Sequence, residues 1–335
     1  MKKSSKKENL LKTLKEKLMS LDAINELDKK TILNNIIKME KKEVNLLITG
    51  ATGSGKSSTI NALFETDVAT VGMSSMPETM DIQQYTLDNL VILDSPGFGD
   101  GINEDIRHAQ GISKLLNETD EEGHCKIDLV LVLLDGGSRD YGTTYRLLEK
   151  IIIPNIGNND CRILIAINQA DMAMNGKGWD HQLNRPTKAL IEQLEAKVKS
   201  TQVRIKENTG VDIEPIYYCA GYQDELEKQN PYNLAKLLHF IVQNIPANKR
   251  YKIADNMTTD DSLYATNDDL KDYTNETKKS MAESLMAVVS DISSAAVDIV
   301  SNTVVSTFNA VVNIGKSIAS TGRSLVSGIA NLFGL

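Results

Sequence analysis

Three cysteines occur in 335 residues, Cys125, Cys161 and Cys219. They are too few and too scattered for a disulfide framework or a zinc site. Two of them fall in apolar strand-like runs, where a thiol acts as a small core residue, and a reducing cytoplasmic setting is expected. The four histidines, His108, His124, His181 and His239, share no metal-ligand spacing. There is no basic excess: 37 Lys and Arg stand against 45 Asp and Glu, for a net charge of −8. That balance excludes general binding of nucleic acid through a basic surface, and no sequence-specific nucleic-acid partner is expected. The one basic region is residues 1–43, with twelve lysines against seven acids. Lysines interrupt every turn of its first twenty residues, so no signal peptide is indicated. Proline is absent after Pro246, and a helix there would meet no break.

What is present is dominated by one segment. Residues 50–57 read Gly50-Ala51-Thr52-Gly53-Ser54-Gly55-Lys56-Ser57, a complete phosphate-binding loop. The apolar run 44–49 precedes it as a buried strand, and a helical stretch through Ile60, Leu63 and Phe64 follows. Glycines let the backbone curl and aim successive N–H groups at a phosphate, and the helix amino terminus adds partial positive charge. Thr52, Gly53, Ser54, Gly55, Lys56, Ser57 and Ser58 are the expected phosphate contacts. Lys56 is expected to bridge the β- and γ-phosphates, and the Ser57 hydroxyl to ligate Mg²⁺.

From Val44 onward, continuous apolar runs at 44–49, 90–93, 127–134, 161–167 and 215–219 alternate with helical stretches. Continuous hydrophobicity marks strands covered on both faces, hence an α/β fold with a mostly parallel, doubly wound sheet. Residues 82–87 alternate instead, and Asp88-Asn89 turns them into strand 90–93, which predicts a hairpin with an antiparallel edge strand. Leu10, Leu14, Leu18 and Leu21 predict an amphipathic helix ahead of the sheet, and Ile32, Leu33, Ile36 and Ile37 a second. The expected organisation is an N-terminal helical extension over 1–43, a nucleotide domain over 44–247, and a C-terminal helical tail over 248–335.

Further short segments fall at the carboxyl ends of these strands, where ligands bind in an open α/β sheet. Asp94-Ser95-Pro96-Gly97 places Asp94 to hold Mg²⁺ through a water and the Gly97 N–H at the γ-phosphate. Thr79, ahead of the hairpin, is placed to close the metal shell and sense the γ-phosphate. In Asn168-Gln169-Ala170-Asp171, Asp171 can accept two hydrogen bonds from guanine, a pair of donors that adenine lacks. Cys219-Ala220-Gly221 supplies a turn whose N–H can meet the guanine carbonyl. Lys56, Thr79 and Gly97 carry the expected catalytic roles, and Ser57, Thr79 and Asp94 the metal.

This order and spacing resembles the Era-like branch of the translation-factor-related GTPases. Within it the chain is similar to the bacterial G proteins of mobile genetic islands, described as ribosome-binding or antigen-island-associated. The resemblance implies a P-loop G domain that binds GTP or GDP with Mg²⁺ and hydrolyses GTP. It also implies switch loops around 66–81 and 97–108, and a protein or ribosome partner or a nucleotide-dependent dimer. Two departures stand out: Gln169 occupies a position usually held by lysine, and Cys219 one usually held by serine. Phe98 takes the place where Ras-type enzymes carry a water-orienting glutamine, and Gly53 the place where potassium-activated relatives carry asparagine.

Arg107, Arg139 and Arg146 read as solvated surface, Trp179 as packing beside the base segment, and helix 187–206 as exposed. In the tail, Leu285, Val289, Ile292, Ala296, Ile299, Val304, Phe308, Val311 and Ile314 recur at helical spacing. Asp291 and Asp298 argue against a membrane span. Two readings stay open: a helix lying peripherally in an anionic membrane interface, or a helical hairpin bent at Gly315 and packed on the nucleotide domain or a second copy.

Overall fold

The computed structural model describes residues 9–64, 70–73, 82–87, 90–95, 102–120, 122–156, 162–223 and 228–312. In chain order, α1 (Leu10–Met19) and α2 (Glu26–Glu40) lead into β1 (Val44–Gly50) and α3 (Lys56–Leu63). Then come β2 (Thr70–Met73), β3 (Gln83–Leu87), β4 (Leu90–Asp94), α4 (Ile102–Leu116) and β5 (Leu129–Asp135). Helix α5 (Gly142–Leu147) runs through a π-helical stretch, Leu148–Ile152, into α6 (Ile153–Ile156), followed by β6 (Arg162–Asn168). A small ladder of β7 (Trp179–Asp180) and β8 (Arg185–Pro186), then α7 (Lys188–Thr209) and β9 (Ile216–Tyr217), come next. A second ladder of β10 (Tyr222–Gln223) and β11 (Lys228–Gln229) precedes α8 (Leu234–Asn244), α9 (Tyr251–Ala254), α10 (Tyr273–Leu285) and α11 (Ser294–Val311).

The main sheet has the order β2-β3-β4-β1-β5-β6-β9. Strand β1 lies at its centre, paired in parallel with β4 on one side and β5 on the other. It is buried at every position, as its unbroken hydrophobicity requires. The two-residue period of the strands sorts side chains onto two core faces. Leu46, Ile48, Leu129, Leu131 and Leu133 face a core shared with α1, α2, α3, α8, α10 and α11. Leu47, Val130, Val132, Leu134 and Ile165 face a core shared with α4, α5 and α7. This is the doubly wound α/β sheet expected for a P-loop domain.

One detail differs from the sequence reading. A single strand does run against the rest, β3, antiparallel to both β4 and β2. It is not the edge, however, because β2 lies outside it. The turn Asp88-Asn89 lies outside the described residues. Cys125 is disulfide-bonded, whereas Cys219 is free and buried.

The helices before and after the nucleotide domain pack on each other. Leu10, Leu14 and Leu18 of α1 are fully buried in the same core as Val300, Val304 and Phe308 of α11. Polar side chains fix the join. Asp28 of α2 accepts the Ser293 N–H at 2.9 Å and its hydroxyl at 2.5 Å, just ahead of α11. The Asn35 amide donates to the Ser290 carbonyl at 2.8 Å, and the Tyr251 hydroxyl to the Met39 carbonyl at 2.7 Å. Through Phe308, then, the apolar face of the tail packs in a core shared with α1 and α2. Ile314, Gly315 and the rest of the tail beyond Val312 lie outside the described residues. Among the described residues, no helix is long and apolar enough to cross a membrane.

Leu14→Ala removes a side chain with no exposed surface, and a loss of about 2–5 kcal/mol is expected from denaturant unfolding. The Ser293 hydrogen bonds hold the Asp28 carboxyl below its ordinary value. A carboxylate so depressed contributes stability above the unfolded value near 4, and the contribution fades as pH falls through the folded value. The melting-temperature advantage over Asp28→Asn is therefore expected to be full at neutral pH and to shrink below about pH 4.

Candidate functional site

Strand β1 ends where the chain passes closest to its neighbour. Gly50 has φ +150°, and a Cβ there would strike the Leu133 carbonyl of β5. The turn Ala51–Gly55 closes with the Ser54 N–H donating to the Ala51 carbonyl at 3.2 Å. Gly55, at φ +84°, precedes α3 as its N-cap. A Cβ on it would land on the Asn168 amide, so glycine is needed here for the end of β6 to come this close to the loop. The amino terminus of α3 lies at the end of the loop, where the helix favours an anion. Lys56 bends back, with Nζ 3.2 Å from the Ala51 carbonyl and 3.4 Å from that of Gly50. Thr52, Gly53, Ser57 and Ser58 are exposed along the loop, whereas Ser54 is turned fully inward.

Asp94 ends β4 beside this loop and accepts the Ser57 hydroxyl on Oδ2 at 3.2 Å. Its Oδ1 is buried without a hydrogen-bond partner. Burial raises the Asp94 carboxyl above its ordinary value, while Lys56 and the Ser57 hydroxyl oppose the rise. A buried carboxylate oxygen lacking a donor, next to a serine hydroxyl and a phosphate loop, fits Mg²⁺, which takes few protein ligands and completes its shell with water and phosphate. Ser95, the next residue, donates its hydroxyl to Thr49 Oγ1 at 2.8 Å and holds β4 to β1.

The third part comes from β6 and the turn after β9. Asn168 Nδ2 donates to the Ser54 carbonyl at 3.0 Å, and its Oδ1 accepts the Ala220 N–H at 3.0 Å. Gln169, at φ +55°, reaches the Gly53 carbonyl at 2.8 Å. Asp171 is half-buried, and its Oδ1 accepts the Cys219 thiol at 3.2 Å. Burial, reinforced by the Asp171 charge, keeps that thiol far above its usual pKa, so it remains a donor. Gly221, at φ +73°, passes so near β11 that a Cβ would sit 2.5 Å from the Gln229 carbonyl. The structure thus brings together the loop 52–58, Asp94, Asn168, Gln169, Asp171, Cys219, Ala220 and Gly221. Thr79, Gly97 and Phe98 lie outside the described residues.

Trp179 is buried in the core, edge-on to Tyr232 with ring centroids 5.4 Å apart, which is the packing role expected of it. Arg107, Arg139 and Arg146 are exposed. His108 and His239 are buried, and His239 lies 3.4 Å from Glu276 of α10, away from the loop. Among the described residues no cluster of His, Cys, Asp and Glu could hold a metal by itself. One brace escaped the sequence reading. Lys197 of α7 donates to the Gly136 and Ser138 carbonyls, and the Gly136 N–H donates to the Asn168 carbonyl at 2.7 Å. The pair Gly136-Gly137 at the end of β5 was the available signal, but the charge pattern of α7 suggested only a solvated face.

Residues 45–169 match the model of a family described as 50S ribosome-binding GTPase, so this segment carries a GTPase domain. The chain is similar to septin-9 of Rattus norvegicus, 32% identical over 93 residues, covering 24% of this chain and 16% of that protein. It is also similar to septin-8 of Xenopus tropicalis, 41% identical over 69 residues, covering 18% of this chain and 16% of the relative. The matched part is therefore a small share of those relatives' length. Among solved structures, the bacterial dynamin GTPase LeoA from ETEC aligns over 89% of this chain and 46% of its own, at 14% identity and a TM-score of 0.40.

Asn168→Ala would leave the Ser54 carbonyl and the Ala220 N–H without their side-chain partner. Guanine-nucleotide affinity measured by calorimetry is expected to fall by on the order of tenfold or more.

Proposed function

We propose that this chain binds guanine nucleotides with Mg²⁺ and hydrolyses GTP to GDP and phosphate, acting as a nucleotide-dependent switch. The observation that carries the reading is that Asn168 bonds both the phosphate loop and the turn Cys219-Ala220, whose thiol donates to the partly exposed Asp171 carboxylate. A carboxylate oriented by its neighbours can accept the two guanine donors, and a site built for those donors rejects adenine because the carboxylate would stay unpaired.

Catalysis in this reading is mainly electrostatic. Lys56 releases its two loop carbonyls and pairs with the β- and γ-phosphates, and the N–H groups at the start of α3 face the charge that builds on the transferred group. Ser57 and Asp94 would hold Mg²⁺, which when bound neutralises charge between the phosphates. Asp94, whose Oδ1 is buried without a hydrogen-bond partner, would offer that oxygen to the metal or to a metal-bound water. Thr79 and Gly97 would sense the γ-phosphate and so distinguish GTP from GDP. Phe98 cannot orient a water by hydrogen bonding, and Gly53 offers no side chain to substitute for that function. The intrinsic rate is therefore expected to be slow, on the order of 10⁻⁴–10⁻² s⁻¹. A protein or ribosomal surface, or a second copy of the chain, would raise it, and docking to that partner is the output of the switch.

Turnover with GTP and ATP side by side, with Mg²⁺ and with EDTA, tests the reading: slow GTP-specific, Mg²⁺-dependent release of phosphate is expected. Equal use of ATP and GTP would refute it. Asp171→Asn is expected to shift preference from GTP toward XTP, because the amide donates to the carbonyl that replaces the guanine amine.

A further inference from the structure

Tyr218 has no exposed surface and is among the largest fully buried side chains of the molecule. It lies between β9 and the Cys219 turn. Its hydroxyl meets Thr59 Oγ1 at 2.5 Å, 159 residues away in sequence, on the first turn of α3. The Thr59 hydroxyl in turn donates to the Gly55 carbonyl at 2.8 Å. With the threonine proton spent on Gly55, the Tyr218 hydroxyl is the donor to Thr59. Burial pushes the phenol far above its ordinary pKa, so it keeps that proton at any working pH.

The main chain of Tyr218 is engaged at the other half of the site. Its N–H donates to the Ile167 carbonyl at 2.9 Å, and its carbonyl accepts the Ala170 N–H at 3.2 Å. These two bonds bracket Asn168 and Gln169 and end next to Asp171. One residue therefore holds the backbone of the base segment and, through Thr59, the peptide at the start of α3. The Gly55 carbonyl and the Lys56 N–H belong to one planar trans peptide and point in opposite directions. The Gly55 carbonyl also accepts the Thr59 N–H at 2.9 Å, and the hydroxyl adds a second bond that further restrains the direction in which the Lys56 N–H points.

We propose that Tyr218 is a positioning residue that sets the phosphate loop in register with the base-recognition segment, through the relay Tyr218–Thr59–Gly55. It rests on the guanine-nucleotide reading above and deepens it. The hydroxyl does not touch nucleotide; it acts by holding the Gly55–Lys56 peptide at a fixed distance and angle from Asn168 and Asp171. A nucleotide spans both ends, so its affinity depends on their spacing, and a loosened spacing weakens the whole molecule's grip without changing which base is chosen.

The test uses the full chain and three substitutions. Tyr218→Phe removes only the donor, Thr59→Val removes the relay at nearly constant shape, and Thr59→Ser keeps it. Dissociation constants for GDP·Mg²⁺, measured well below each variant's melting temperature, are expected to rise about three- to tenfold for Tyr218→Phe and Thr59→Val. Thr59→Ser is expected to stay near the unmodified value. The double variant Tyr218→Phe with Thr59→Val is expected to bind no more weakly than the worse single variant, since both break one relay. The preference for GDP over ADP is expected to persist in all of them. Unchanged affinity in Tyr218→Phe, or additive losses in the double variant, would overturn the relay while leaving guanine binding intact. Failure of the unmodified chain to bind GDP would instead overturn the functional reading on which it stands.

Discussion

The side-chain amide of Asn168 is bonded on both sides, to the Ser54 carbonyl of the phosphate loop and to the Ala220 N–H of the turn after β9. It is 2% exposed, so neither contact can be exchanged for water without leaving a buried polar group unpaired. Its backbone carbonyl takes the Gly136 N–H, which adds the loop after β5. Three chain segments that are far apart in sequence thus converge on the last residue of β6. The glycines at 50, 55 and 136 make room for this convergence, since a Cβ at any of them would strike a neighbouring backbone or the Asn168 amide itself.

Parallel strands make such a meeting possible. Strands β1, β4, β5, β6 and β9 all run the same way, so their carboxyl ends open onto one edge of the sheet. The loop after β1 supplies the glycine-rich turn and Lys56, the end of β4 supplies Asp94, and β6 with the turn after β9 supplies Asp171, Cys219 and Ala220. The helices at the two ends of the chain lie elsewhere, in the core beneath α3 and α8. Their hydrogen bonds through Asp28, Asn35 and Tyr251 make them part of the folded body on which the site is mounted.

Much of this was legible in the residues, for reasons that can be named. The phosphate loop is a contiguous glycine signature, and β1, β5 and β6 are continuous apolar runs, so both read directly. Asp94 and Asp171 follow strand ends, which is where an α/β sheet places ligands. Strand β2 was not legible, because Thr70–Met73 is four residues with a glycine inside and too short to establish a period. The tail showed its apolar face but not what covers it, since a periodic pattern says that a face is buried without saying against what. Lys197, Tyr218 and Thr59 act through contacts between distant segments, and no local pattern announces such a pair. Cys219 looked like a core thiol, and its bond to Asp171 emerges only once the β9 turn is set beside β6.

The central claim is that these converging segments form a site complementary to guanine and phosphate together. The most direct measurement is the melting temperature of the full chain with saturating GDP·Mg²⁺, ADP·Mg²⁺ and inorganic phosphate, each at the same free concentration. The account predicts a rise of several degrees with GDP·Mg²⁺ and little or none with the other two, because only GDP engages both Asp171 and the loop. Equal stabilisation by ADP and GDP, or none by GDP, would contradict it.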